Sequence, residues 1–441
     1  MIRAAIVGMT LIGSALALPG ATPNAAAGEP RQVQGASLGA ANLDRLGKLV
    51  RNYYTFLEAE QLQKANKELG KLLEETGKIA KASKLADPLL ALDDWREVVR
   101  RGLTVEKPTA DISGRGDLRL AAVPSPIDMS EYEKELKDVF DNKMKAFISL
   151  PPDFAKVAYP VIVGLHPMDD EVKAAKDLTK SKAIQDKVKA WATATYSKEF
   201  LAKAIVVCPV MDLARRSSDN VSWSRPRWDS DDGAMWAFKS LTEFIFKNVN
   251  HDATRIFMDG SGSGAMAALL FCARFPGVQT GSVVRGTPPQ KIDIGNCLGT
   301  PVLFVGAETK EFFDHWKGHE GFVLEQHDAI DDPTLLAWLA DHPKNFAPKK
   351  ITLATAELNY ASSYWLRITD QDRTKEKLDF SVDAVVDAEK NEITIVTNEK
   401  VKGIEIYLND SLLDLSKPVK AIHRFAGAED AAKETVRFNG F

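Results

Sequence analysis

Residues 255–276, RIFMDGSGSGAMAALLFCARFP, have the order of residue types that presents a nucleophilic serine: an apolar run, a glycine-dense turn, then an apolar helical segment. In the G-x-S-x-G elbow the serine sits on a sharp strand-to-helix turn. Glycines flank it because the backbone is crowded, and the helix N-terminus helps to stabilise an oxyanion. The flanks set the frame. The strand is expected to end at Asp259 and the helix to start near Ala265, ahead of Met266, Leu269 and Leu270. Gly260 and Gly264 then take the flanking positions and Gly262 takes the nucleophile's own. Glycine has no side-chain atom to attack a carbonyl. Ser261 and Ser263 stand beside the apex. Ser263 falls at the helix start, where a hydroxyl caps backbone N–H groups, and Ser261 faces the other side of the turn.

Other residues with chemical potential have plainer readings beside them. WDSDDG (residues 228–233) superficially resembles a calcium loop, but the twelfth position, counting Asp229 as the first, is Ser240 rather than glutamate. Acids at a helix N-terminus, suited to its dipole, explain it better. Residues 220–236 hold Trp223, Trp228 and Trp236 with Arg225 and Arg227. These aromatics either line a cleft and stack a ring or sugar, or cover a sheet edge. His315 and His319, four apart, share a helix face, yet no carboxylate completes a standard metal motif and Gly318 weakens the helix. Solvated histidines are the expectation there. His251, His342 and His423 carry no signal.

The elements that must position such groups follow from composition and patterning. The chain has 441 residues, 45% hydrophobic and 27% charged, with a net charge of −4. Its length suggests two or three domains, and the absence of a basic field speaks against a nucleic-acid partner. Residues 4–18 are apolar behind a positive start and are followed by small residues, a secretory signal pattern cut after Ala17 or Ala27. The run is too short to span a bilayer, which needs about 20 residues. An uncleaved anchor or an unstructured leader is the competing reading. The expected location is therefore secreted or periplasmic, with no integral membrane span once residues 1–27 are removed. Cys208, Cys272 and Cys297 are too few and odd in number for a disulfide scaffold. Cys208 and Cys272 lie in or beside apolar runs and are expected to be buried. No Cys/His spacing resembles a zinc site, and no cofactor is expected.

Residues 40–104 repeat apolar positions at three and four, among them Leu43, Leu46, Val50, Tyr53, Leu69, Leu72 and Ile79. That spacing predicts amphipathic helices, with Gly70 and Gly77 as weak points, in a small hairpin or bundle. Residues 105–125 read as a linker. Residues 126–345 alternate strands and helices. KMKAFISL (143–150) alternates like an edge strand, while PVIVGLH, AIVVCPV, RIFMD and PVLFVGA are continuous apolar runs. Such runs are strands buried on both faces of a parallel sheet, joined by helices at 181–200, 233–249 and 264–275. From residue 349 to 441 short segments of period two, FSVDAVV, NEITIVT, VKGIEIYL and PVKAIHRF, predict an antiparallel β domain of six or seven strands.

The span from about 130 to the end resembles secreted bacterial α/β-hydrolases: the esterase, feruloyl-esterase and polyhydroxybutyrate-depolymerase-like group with an appended β domain. LPPDF…PVIVGLHP, DATRIFMDGSGSGAMAALLFCARFP, TPVLFVGAET, HDAIDD and the tail segment PKKITLATAELNYASSYWLRI carry the likeness over about two thirds of the chain. The resemblance implies an α/β-hydrolase-like, mostly parallel sheet with an N-terminal helical segment and a C-terminal antiparallel β domain.

Residue by residue, the resemblance places the family serine on Gly262. The family acid falls on Thr309, with Glu308 one residue earlier as an orienter if the loop shifts. The oxyanion His-Gly becomes His166-Pro167, and proline has no N–H. His166 then orients the first loop. The family histidine is His327, following the strand GFVLEQ, with a helix beyond it that starts at an Asp332 N-cap and Pro333. Loss of the nucleophile alone costs on the order of 10⁶-fold in a serine hydrolase. The expectation is a degenerate esterase site whose former cleft binds an ester, polymer or peptide. The alternative is an active carboxylic-ester hydrolase using a displaced Ser261 or Ser263 with His327 and Glu308.

Overall fold

The computed structural model describes residues 38–58, 61–82, 98, 102, 116–124, 143–154, 157–167, 182–210, 241, 245, 249–286, 294–355, 361–372, 379–408, 411–415, 417–426 and 434–438. The leader at 1–27 and the tryptophan-bearing segment with Trp223 and Trp228 lie outside these residues, as does most of the helix expected at 233–249.

Two helices, α1 (Ala40–Glu58) and α2 (Leu62–Ala82), form a hairpin. Leu43, Leu46, Val50, Leu72 and Ile79 close against one another in a core of their own that also takes in Val98. Asn52 donates to Glu68 across the hairpin at 3.1 Å, which fixes the register of the two helices. Position 102 crosses α1 so closely that a Cβ there would lie 2.7 Å from the Gly47 carbonyl. The expected weak points do not interrupt α2. Gly70 and Gly77 sit on its exposed side, where a missing side chain costs helix propensity but leaves no void.

The central sheet is built from β1 (Arg119–Pro124), β2 (Lys143–Ser149), β3 (Tyr159–Leu165), β4 (Ile205–Val210), β5 (His251–Ser261), β6 (Gly281–Arg285), β7 (Pro301–Val305) and β8 (Val323–His327). Its order is β1-β2-β4-β3-β5-β6-β7-β8. The β1–β2 and β2–β4 pairs are antiparallel and the rest of the sheet is parallel. Two sequence expectations are corrected here. The linker at 105–125 contains the true edge strand, RLAAVP, so KMKAFISL is flanked on both sides. GSVVR, between RIFMD and PVLFVGA, is a further strand of the parallel sheet, unmarked by the long apolar runs that showed its neighbours.

Between the strands lie α3 (Lys182–Thr195), α4 (Lys198–Leu201), α5 (Ser263–Arg274), α6 (Lys310–Trp316) and α7 (Asp332–Asp341). Successive strand residues face opposite sides. Val283 and Leu303 join the large core that also holds Leu335, Trp338 and Leu339 of α7. Val284, Val302 and Phe304 join the second core with Leu269 and Leu270 of α5. The sheet is thus a middle layer covered on both faces. The single helix expected at 181–200 is two, because the Ser197 side chain accepts from Phe200 N–H and restarts the helix. The cap of α7 is Asp331 rather than Asp332; its carboxylate accepts from Thr334 N–H at 2.9 Å. Cys208, Cys272 and Cys297 are free and buried.

The C-terminal strands are β9 (Lys350–Thr355), β10 (Ser362–Ser363), β11 (Leu366–Gln371), β12 (Phe380–Asp387), β13 (Glu392–Thr397), β14 (Val401–Ile406), β15 (Val419–Phe425) and β16 (Glu434–Phe438). They form a three-stranded sheet, β10-β11-β14, and a five-stranded one, β16-β15-β13-β12-β9. Pairing is antiparallel except between β13 and β15, which run parallel. Leu353, Trp365, Ile368, Phe380, Val382 and Ile395 make their core.

This β unit is joined to the sheet domain by side chains that imitate backbone. Asn296 receives Ala354 N–H at 2.7 Å and donates to Ala354 C=O at 2.8 Å, as a neighbouring strand would, and also donates to Ala273 C=O at the end of α5. Tyr364, at φ 49°, packs over Gly277 and shares a 3.1 Å hydrogen bond with Thr300. No helix among the described residues is long and apolar enough to cross a membrane.

Candidate active site

The elbow is built, with glycine at its apex. Strand β5 runs two residues further than the sequence suggested, to Ser261, and α5 starts two residues earlier, at Ser263. Gly262 alone makes the turn, at φ 54° and ψ −117°. Its N–H donates to Arg285 C=O at 3.0 Å and its carbonyl accepts from Ala265 N–H at 3.1 Å. The flanking glycines are required by contact. A Cβ at Gly264 would lie 2.0 Å from the Leu165 carbonyl oxygen, and one at Gly260 2.1 Å from the Gly264 carbonyl oxygen. At the apex itself the nearest neighbour of such an atom would be Pro167 Cβ, at 3.3 Å. The crowding that defines an elbow is therefore present on both sides of the turn, with glycine at its apex.

Beneath the elbow lies a polar cluster that the sequence did not announce. Asp259 is fully buried. Arg285, at the end of β6, donates to both its oxygens, Nε to Oδ1 at 2.7 Å and Nη2 to Oδ2 at 3.0 Å. Tyr196 donates its hydroxyl to Oδ2 at 3.1 Å. Burial, and then the Asp259 charge, push the Tyr196 phenol well above its usual range. For Arg285 burial works against the charge, but Asp259 outweighs it and holds the guanidinium more firmly protonated than usual. Burial first, and Asp259 next, push the Cys208 thiol up, which makes it inert.

Ser261 belongs to this layer. Its Oγ accepts from Trp191 Nε1 at 3.3 Å. Trp191 meets the His166 ring edge-on, centroids 6.4 Å apart, and His166 Nδ1 lies 3.0 Å from Pro167 O. Ser263 opens α5, and the helix shows no side-chain cap from Gly262.

The other sequence-chosen residues are distributed as follows. Thr309 is fully buried and turns inward, its hydroxyl donating to Gly306 C=O at 2.7 Å within its own turn. Glu308 is exposed and folds back over Gly306. A Cβ on Gly286 would lie 3.7 Å from Glu308 Oε1 and 3.8 Å from Gly262 N. His327 is the last residue of β8 rather than the first beyond it, and its Nε2 lies 3.8 Å from Glu325 Oε2. Among the described residues no hydrogen bond joins His327 to Ser261 or to Glu308. His315 and His319 are exposed, with ring centroids 6.0 Å apart. Among the described residues the elbow is a turn followed by a helix N-terminus, with no serine–histidine hydrogen bond beside it.

No protein-family model matches the chain, and no curated protein does. Solved structures do. A thermostable esterase is 15% identical with a TM-score of 0.34, over 51% of this chain and 60% of that one. An S-formylglutathione hydrolase from Agrobacterium tumefaciens is 13% identical at 0.31, over 51% and 94%. A poly(3-hydroxybutyrate) depolymerase from Bordetella parapertussis is 12% identical at 0.32, over 51% and 89%. The chain thus spans only part of the first of these. At such scores the neighbours carry no argument about the site. The strand order and the elbow after β5 make this an α/β-hydrolase-like fold with a second, mainly antiparallel β unit.

Proposed function

We propose that this chain is an exported binding protein on an esterase-like scaffold, whose former active-site cleft holds an ester, polymer or peptide without cleaving it. One observation carries the reading: glycine occupies the elbow apex, so the covalent step has no atom to perform it. Three others support it. The hydroxyl of Ser261 is engaged by Trp191, the imidazole of His327 has Glu325 as its polar neighbour, and Pro167 has no N–H to offer an oxyanion. Export is supported by the leader pattern of residues 1–27. The test is hydrolysis of short-chain p-nitrophenyl esters by the purified chain. Rates at the buffer background are expected. Turnover that disappears in Ser261→Ala or Ser263→Ala would refute the reading and install a displaced-serine esterase in its place.

A further inference from the structure

Two side chains at the elbow carry hydrogens that no described residue accepts. Arg285 and Ser261 are register partners on neighbouring parallel strands, so their side chains stand beside each other on one face at the carboxyl edge of the sheet. Asp259 takes the Arg285 Nε–H and one Nη2 hydrogen. A guanidinium carries five N–H groups, which leaves two on Nη1 and one on Nη2 without an acceptor among the described residues. The pairing with Asp259 holds the guanidinium rigid, while its side chain stays 19% exposed. Ser261 accepts from Trp191 Nε1, and its own hydroxyl hydrogen has no acceptor among the described residues either. The Gly262 N–H bonds to the Arg285 carbonyl, which ties both donors to the elbow apex.

The charge around these donors selects what they bind. Asp259 already cancels the charge on Arg285. A second carboxylate stands close by. Tyr196 donates to Asp259, and the next residue, Ser197, donates its N–H to Asp332 Oδ2 at 3.1 Å. Burial works against the Arg285 charge, but Asp259, and to a lesser degree Asp332, keep the guanidinium protonated, so both carboxylates act at this point. One cation and two anions leave an excess of negative charge. A ligand carboxylate would add a third anion where water is partly excluded, which is costly. A carbonyl oxygen brings two lone pairs and no charge, and it can accept from both donors. We propose that Arg285 and Ser261 hold the carbonyl oxygen of a neutral ester or amide, and that Asp259 and Asp332 turn away the corresponding carboxylate. This rests on the reading of the elbow as a binding site that does not cleave, and it narrows the ligand to intact acyl compounds rather than free acids.

The experiment titrates benzamide and, separately, sodium benzoate into the purified full chain at neutral pH, followed by saturation-transfer NMR of the probe. The two share a ring and a carbonyl and differ chiefly in charge. Benzamide is expected to bind about tenfold more tightly than benzoate. Asp332→Asn keeps an oxygen for the Ser197 N–H but removes a charge, so it should narrow that ratio by about threefold. Arg285→Gln combined with Asp259→Asn leaves no lone buried charge and should weaken benzamide about fivefold, the worth of one hydrogen bond. Benzoate bound as tightly as benzamide, binding of neither probe, or a preference indifferent to both variants overturns the proposal. Turnover of p-nitrophenyl esters is measured on the same sample. Turnover with the benzamide preference intact would refute the non-cleaving reading and leave the carbonyl site standing. Background turnover with no preference would do the reverse.

Discussion

Arg285 holds both carboxylate oxygens of Asp259, at 2.7 and 3.0 Å, directly beneath the turn where an esterase keeps its nucleophile. Asp259 lies two residues from the end of β5 and Arg285 ends the neighbouring β6, so the ion pair also ties the two strands together beside the elbow. Breaking a buried pair costs more than the pair itself contributes, because it leaves an uncompensated charge. Arg285→Ala should therefore destabilise the protein by about 3–5 kcal/mol, measured by denaturant unfolding, and pairing it with Asp259→Leu should recover much of the loss.

Tyr196 gives this cluster a pH signature. Its phenol is raised well above 10 by burial and by Asp259, while the unfolded chain ionises near the ordinary value. A raised folded-state value means stability is intact below about pH 10 and falls as the pH climbs further, since only the unfolded state releases the proton. Tyr196→Phe should cost about 1 kcal/mol at neutral pH, the worth of its hydrogen bond, and should flatten the fall. Urea midpoints on either side of pH 10, compared with the parent, check both halves.

The elbow glycines separate crowding from strain. At Gly264 an added Cβ meets the Leu165 backbone at 2.0 Å, and neither partner can yield. Gly264→Ala should fall in the exceptional class above about 4 kcal/mol, or fail to fold. Gly262→Ala faces only Pro167 Cβ at 3.3 Å and a φ of 54°, so its cost should be about 1–3 kcal/mol. Gly262→Ser restores an oxygen but not its partners: Thr309 stays turned into its own loop and Pro167 still lacks an N–H. Ester hydrolysis by Gly262→Ser should remain at background, and strong activity would show that those two positions matter little.

Asn296 links the β unit to the sheet domain by three hydrogen bonds. Asn296→Ala leaves both polar groups of Ala354 and the Ala273 carbonyl without that partner. A loss of about 1–3 kcal/mol is expected, with faster hydrogen exchange at the Ala354 amide.

The sequence made the fold legible where apolar runs were long. PVIVGLH, AIVVCPV and PVLFVGA each carried enough buried residues to mark a strand by themselves. RLAAVP and GSVVR did not, being short, rich in small residues and set among linker-like neighbours. The elbow frame was readable because glycines fall only where backbones touch, and both flanking glycines sit at such contacts. The Asp259–Arg285–Tyr196 cluster was not readable, since its members are 26 and 63 positions from Asp259 and meet only through sheet pairing and the α3–α4 junction.

The central claim is that no acyl-accepting nucleophile exists at this elbow. Intact-mass measurement of the purified chain after prolonged exposure to a fluorophosphonate tests it most directly. The account predicts an unchanged mass and no labelled peptide from residues 255–276. A stoichiometric adduct on Ser261 or Ser263 would contradict it.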